Sequence, residues 1–173
     1  MSPRIPTGDN RIRDYCEACT YIHYENPKLV VGAILEFEGN ILLCKRAIEP
    51  RLGYWTLPAG FMENGESTQA GALRETFEEA GADAQIEAPF ALFDLPHISQ
   101  VHLFYRGKLR SSDLNPGPES LEAGLFSEAT IPWDSLSFES VRQCLKLYLC
   151  DRKRGHYPFH SVALEKCSED DQR

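Results

Sequence analysis

A single α/β domain is the fold class this sequence predicts, and three observations carry it. Apolar runs of strand length are interspersed with two helical patterns, at Thr68–Ala80 and at residues 137–152. Turn-forming clusters such as Glu38-Gly39-Asn40 and Asn115-Pro116-Gly117-Pro118 separate the runs. With 173 residues, 42% of them hydrophobic, the chain can bury one substantial core.

Residues 1–27 read as an N-terminal arm, 28–155 as the domain and 156–173 as a tail. Lys28–Phe37 and residues 41–45 are apolar runs joined by Glu38-Gly39-Asn40, the pattern of a hairpin. Residues 55–62 carry a further strand. Ser67 can cap a helix running from Thr68 to Ala80, which stops at Gly81, where a left-handed residue is wanted. Ala84–Leu95 and Gln100–Leu109 read as two more strands, and residues 122–126 as another, begun by Glu122. In residues 137–152, Phe138, Val141, Leu145 and Leu149 recur near helical spacing, and Arg152-Lys153-Arg154 sits where cations suit a helix C-terminus. This is a packing helix with no cofactor role. The closing SEDDQR has the composition of a disordered tail.

A formal net charge of -8 and a pI near 5.1 leave no basic surface able to displace counterions from a polynucleotide, so no nucleic-acid partner is expected. Individual nucleotides remain compatible. No apolar run is long enough to span a bilayer, and MSPRIPTGDNRIRDY lacks the apolar segment of a signal peptide. The expectation is a cytoplasmic protein with no membrane partner.

The chemistry is concentrated in residues 60–82, GFMENGESTQAGALRETFEEAGA. At about 100° per residue, Glu75, Glu78 and Glu79 fall on one side of the helix. Ala70, Leu73, Phe77 and Ala80 fall opposite, so one face is expected to be core and the other carboxylate. Like charges at i and i+4, as at Glu75 and Glu79, destabilise an isolated helix by a few tenths of a kcal/mol. A solvated acidic face would interleave lysine. From Phe61 to Gln100 the only Lys or Arg is Arg74, set against Glu63, Glu66, Glu75, Glu78, Glu79, Asp83, Glu87 and Asp94. Arg74 can pair with Glu78, and the remaining charge calls for a divalent cation, magnesium or manganese, which favour clustered carboxylate oxygens. Gly71, one turn before Glu75, leaves room for a loop or ligand.

Gly60, Glu66, Arg74-Glu75, Glu78-Glu79 and Gly81 resemble, in type and spacing, the Nudix box, the signature of the Nudix hydrolases. The sequence departs from it only at Thr76 and Ala82, where the pattern prefers larger apolar residues. The resemblance implies an α/β/α sandwich with a mixed sheet, bound Mg2+ or Mn2+, and hydrolysis of nucleoside diphosphates linked to another group. It implies Glu75, Glu78 and Glu79 as metal ligands, with the Gly60 carbonyl adding an oxygen and Arg74 orienting the glutamates. Glu66 would support the loop. The general base is left open between the box carboxylates and a later loop. Glu119, in NPGPESLE, is the later candidate, on a loop flexible enough to swing onto a bound diphosphate; Glu122 ranks below it. The catalytic set is thus Glu75, Glu79, Arg74 and Glu119. Phe61, Tyr105 and Trp55 could stack on a base, worth roughly 1–3 kcal/mol, but core packing is the expected role of each.

Cysteines stand at 16, 19, 44, 144, 150 and 167, and most read as buried thiols. Cys16-Glu-Ala-Cys19 differs: RDYCEACTYIHYENPKLVVGAI resembles the second half of the small zinc ribbon that precedes some Nudix domains. A structural zinc needs four ligands, whereas the fifteen residues before Cys16 hold neither cysteine nor histidine, and His23 could supply a third. A zinc site at Cys16 and Cys19 is therefore not expected; a remnant turn packed on the domain is. IHYENPK, LLCKR, WTLPAGF, GPESLE, IPWDSLSF, LYLCD and Phe159-His160 resemble the subgroup containing the plant chloroplast FAD pyrophosphohydrolase and its bacterial relatives. This implies a small dinucleotide substrate, FAD cleaved to FMN and AMP, with ADP-ribose as a second, and a homodimer, the state of many relatives. An NADH pyrophosphohydrolase is the alternative, although that group's Gln-Pro-Trp-Pro-Phe-Pro motif is absent. A non-catalytic nucleotide sensor would have lost box glutamates, and an interaction protein would use the Cys16–Cys19 arm.

Overall fold

The computed structural model describes residues 1–165. SEDDQR and Cys167 lie outside the described residues. Strands β1 (Ser2–Arg4), β2 (Arg13–Tyr15) and β3 (Ile22–His23) form a small antiparallel sheet. The arm expected as a remnant turn is therefore a three-stranded unit in its own right. Polar contacts hold it, among them the Arg13–Asp9 ion pair at 3.1 Å and the Arg4 guanidinium 4.1 Å from the Tyr15 ring centre. Cys16 and Cys19 sit in the turn between β2 and β3, closed by Thr20 N–H to Cys16 O at 2.8 Å.

The main sheet is built from β4 (Lys28–Phe37), β5 (Asn40–Arg46), β6 (Trp55–Thr56), β7 (Ala59–Phe61), β8 (Ala84–Leu95), β9 (Gln100–Leu109), β10 (Ser120–Phe126) and β11 (His160–Ala163). Its order is β10-β5-β4-β9-β8-β11, with β6 on β5 and β7 on β4. β4 with β9 and β8 with β11 run parallel and the other pairs antiparallel, so the sheet is mixed. Helices α1 (Thr68–Ala80) and α2 (Glu139–Arg154) cover its two faces. Ile34, Ile41 and Leu43 pack with Val141, Cys144 and Leu145 of α2. Val31, Ala33, Leu35 and Leu42 pack with Ala72 and Ala80 of α1. That alternation along β4 is what a strand buried on both faces requires, and it makes the domain an α/β/α sandwich.

Three local departures from the sequence reading have physical causes. Residues 55–62 are two strands, because Pro58 has no N–H to continue a ladder; the chain leaves β5 there and joins β4, Ala33 N–H donating to Pro58 O at 3.1 Å. The β4–β5 turn has two residues, Glu38 and Gly39, both at positive φ (48° and 81°), with Phe37 facing Asn40. Residues 160–163, expected within a tail, are the edge strand β11, anchored by His160 Nε2 at 2.7 Å from Asp151 Oδ2.

The fourth departure concerns the acidic helix. Glu75 and Glu79 are buried together with Gly71, Ala72, Thr76 and Ala80, while Phe77 is 67% exposed. Core and carboxylate thus share one face, and Ala70 and Phe77 point to water. Small residues decide this. A Cβ on Gly71 would lie 2.8 Å from Val31 Cγ2 and 2.7 Å from Glu66 Oε1, so the glycine admits the sheet and the Glu66 side chain together. Phe77→Ala should consequently change unfolding free energy by less than about 0.5 kcal/mol, whereas a core phenylalanine costs about 3–5 kcal/mol; urea melts of the two proteins distinguish these. Among the described residues, no helix is long and apolar enough to cross a membrane.

Candidate active site

Local chemistry sets the ends of α1. Ser67 Oγ accepts from Ala70 N–H at 3.1 Å, and Gly81 closes the helix at φ 61°, its N–H donating to Phe77 O at 2.8 Å. The loop before the helix is tied by Glu66, which accepts from Glu63 N–H at 2.7 Å. Gly60, on β7, lies directly against Glu75: an added Cβ would overlap that carboxylate and displace it, so glycine leaves the space the Glu75 side chain occupies.

Arg74 organises the carboxylates. Its Nη1 donates to Glu75 Oε1 at 2.7 Å and to Glu78 Oε2 at 2.8 Å; its Nη2 donates to Glu66 Oε1 at 2.9 Å and to the Phe61 carbonyl at 3.2 Å. The Nε–Glu66 Oε2 bond, 3.1 Å, completes a bidentate pair. Hydrogen bonding from Arg74, then from Glu63 N–H, pulls the Glu66 carboxyl down to about 2. Among the described residues Glu79 has no such partner. It is 7% exposed, and the hydrogen bond its Oε2 accepts from them is that of the Ala59 N–H, at 3.2 Å. Burial pushes its pKa up to about 8, with Glu75 and Glu119 adding repulsion and Arg46 opposing it. Burial also raises Glu75, in spite of Arg74, and Glu78 and Glu119 raise it further.

Glu75 and Glu79 therefore lie together on the buried side of α1, the exposed Glu119 is near enough for its charge to act on both, and Glu78, its side chain 55% exposed, stands at the solvent edge of the group. Among the described residues, no three carboxylate, imidazole or thiol groups already meet at one point as a complete metal cage. The donor chemistry nonetheless fits magnesium or manganese: hard oxygens, with Arg74 engaging one oxygen each of Glu75 and Glu78 and leaving the second of each. Glu122 lies on β10, 3.8 Å from Lys45, and is exposed.

The aromatic candidates separate. Trp55 is buried, edge-on to Phe126 at 4.7 Å, and Tyr105 is buried with its hydroxyl 2.6 Å from Thr68 Oγ1. Phe61, expected in the core, is 52% exposed beside Gly60, under the Lys28 ammonium. The sequence reading passed over Arg46, whose charge acts on Glu79 and whose Nε donates to Pro50 O at 2.8 Å. The signal available was the Lys45-Arg46 pair ending the apolar LLCKR run.

A family model described as NUDIX domain matches residues 26–146. The chain belongs to the Nudix family. A second model, a zinc ribbon described as Nudix N-terminal, matches residues 1–25. This Nudix chain is similar to the crystal structure of a NUDIX hydrolase from Nitrosomonas europaea, at 50% identity and TM-score 0.93, over 95% of this chain and 94% of that one. An ADP-ribose pyrophosphatase of Methanocaldococcus jannaschii is 27% identical over 127 residues, which is 70% of this chain and 74% of the relative. The NAD-capped RNA hydrolase NudC of Stutzerimonas stutzeri is 29% identical over 141 residues; the match takes in 80% of this chain and 50% of the relative. With its box intact, the protein is a Nudix hydrolase.

Proposed function

We propose that this Nudix hydrolase cleaves the diphosphate of an ADP-linked metabolite, ADP-ribose or FAD, with magnesium or manganese held by Glu75, Glu78, Glu79 and the Gly60 carbonyl. The observation that carries the reading is the buried Glu79, pressed by Glu75 and Glu119 and, among the described residues, without a cationic hydrogen-bond partner. An anionic diphosphate cannot approach such a cleft unless positive charge is supplied there. A divalent ion offsets that charge and polarises the phosphoryl group. Arg74 fixes the angle at which Glu75 and Glu78 present their remaining oxygens. Glu119 takes the proton from the attacking water as its oxygen bonds to phosphorus and the bridging P–O bond breaks. Arg46, whose charge acts on Glu79, is the cation we assign to a phosphate oxygen, and the exposed Phe61 ring offers a face to a base.

ADP-ribose is supported by the similarity to the M. jannaschii enzyme of that name. FAD is supported by the motif succession from IHYENPK to Phe159-His160. An NADH-type substrate is a second reading, favoured by the similarity to a relative named as an NAD-capped RNA hydrolase. The deciding experiment incubates the protein with ADP-ribose, FAD and NADH, with and without Mg2+, and separates the products. The expected result is metal-dependent AMP, with ribose 5-phosphate or FMN as its partner. AMP from ADP-ribose alone removes the flavin assignment; AMP from NADH alone installs the second reading; no AMP from any of them supports a nucleotide sensor instead.

A further inference from the structure

The loop 110–119, between β9 and β10, crosses the C-terminal end of α1. A helix end leaves carbonyls without intrahelical partners, and this loop supplies two of the missing donors. Asn115 N–H donates to Ala80 O at 2.7 Å, and Gly117 N–H to Glu79 O at 3.4 Å. The residue that carries a site carboxylate on its side chain thus receives the loop on its backbone.

Contact at Gly117 is closer than any other residue type allows. A Cβ there would overlap the Glu78 carbonyl oxygen and lie 3.1 Å from the carbon behind it. Both are backbone atoms and cannot swing aside. Gly117 is not among the positive-φ glycines, so close approach, and not conformational freedom, is what requires glycine. Gly81 meets the same loop from the other side, against the backbone of Asn115.

Beyond Gly117 the chain is tied again at once. Ser120 N–H donates to Gly117 O at 3.1 Å, Ala47 N–H donates to Glu119 O at 2.8 Å, and Ser120 stands opposite Arg46 in the β10–β5 register. Glu119 is therefore held between α1, two residues before it, and β5, one residue after it. Pro116 and Pro118 stiffen the span. A loop whose composition suggests a swinging arm is a strap clamped at both ends.

We infer that Gly117 is a positioning residue: by letting the strap lie flat on the last turn of α1, it holds Glu119 at the cleft containing Glu75 and Glu79. This rests on the reading, given above, that Glu119 serves the reaction. A purely structural role is the competing account, in which the strap only caps α1 and Gly117 matters to stability alone.

The test is a double-mutant cycle with the full chain, using whichever of the three dinucleotides is turned over. Gly117→Ala should lower kcat about 10- to 100-fold, the loss associated with an ångström-scale misplacement, with KM little changed. In a Glu119→Gln background the same substitution should cost nothing further. Pro118→Gly covers the case in which Gly117→Ala does not fold. It removes no hydrogen bond and introduces no clash, and it should lower kcat only when Glu119 is present. Equal losses in both backgrounds, or a lowered melting temperature with unchanged kcat, overturn the inference in favour of a helix cap. Wild-type kcat in Glu119→Gln alone overturns the role of Glu119 first, and the inference with it.

Discussion

Glu79→Gln is expected to lose turnover by about 100- to 1000-fold, the range for removing one preorganised electrostatic contact, while the metal-free protein becomes more stable. The two halves have one cause. Glu79 is buried, raised to about 8 by desolvation first and by Glu75 and Glu119 after it. Its ionised form is therefore a strained state of the apo protein. The amide has the same shape, keeps an acceptor for Ala59 N–H, and can donate toward the neighbouring carboxylates in place of repelling them. Such a gain in stability with loss of function is what an active-site charge predicts.

The pH dependence follows from the same shift. The folded pKa, about 8, lies above the unfolded value of 4.5, so between these limits the folded state holds a proton that the unfolded chain has released. Stability of the metal-free protein should fall as pH rises through that window, and Glu79→Gln should remove most of the slope. Mg2+ should raise the melting temperature of the wild type more at pH 8 than at pH 6, since at the lower pH the ion competes with a proton. In the variant that difference should largely vanish. Calorimetry on both proteins at the two pH values, with chelator or with Mg2+, reads all of this without an activity assay. A variant that is less stable than wild type at pH 8 in chelator would show that Glu79 is satisfied in a way the cleft does not display.

Much of this cleft was legible in the sequence, and the illegible part has a common origin. The limits of α1 are Thr68 and Ala80, as Ser67 and Gly81 indicate, because capping is settled by atoms within a few residues. β4, β8 and β9 also keep the limits their apolar runs suggest. The buried face of α1 was not legible. Hydropathy placed Phe77 inside and Glu79 outside, whereas closeness of approach at Gly60 and Gly71 decides which side meets the sheet. A glycine's use as a contact surface is invisible until its partner is known, and the partner of Gly117 is a carbonyl nearly forty residues earlier in the chain. For the same reason a Pro- and Gly-rich composition was a poor guide to the mobility of the Glu119 loop. β11 has only four residues, too short for any periodicity, and its neighbour β8 lies far away in the sequence.

Arg74→Lys should lower kcat by roughly 10- to 100-fold, the usual cost of removing a group that orients metal ligands, even though the charge is unchanged. A guanidinium reaches Glu66, Glu75, Glu78 and the Phe61 carbonyl from one plane. An ammonium is a point donor at the end of a flexible stem and cannot hold three carboxylates at fixed angles. Glu66, pulled to about 2 chiefly by Arg74, would lose its bidentate partner, and the loop from Gly60 to Ser67 its tie to the helix. Two consequences separate this from loss of a simple ion pair. The Mg2+ concentration giving half-maximal rate should rise, because Glu75 and Glu78 no longer present their oxygens together. Saturating Mg2+ should restore only part of kcat, because orientation, unlike occupancy, does not respond to concentration. Full recovery of the wild-type rate at high Mg2+ would mean that Arg74 contributes charge alone, and the four-way geometry around it would then have no catalytic meaning.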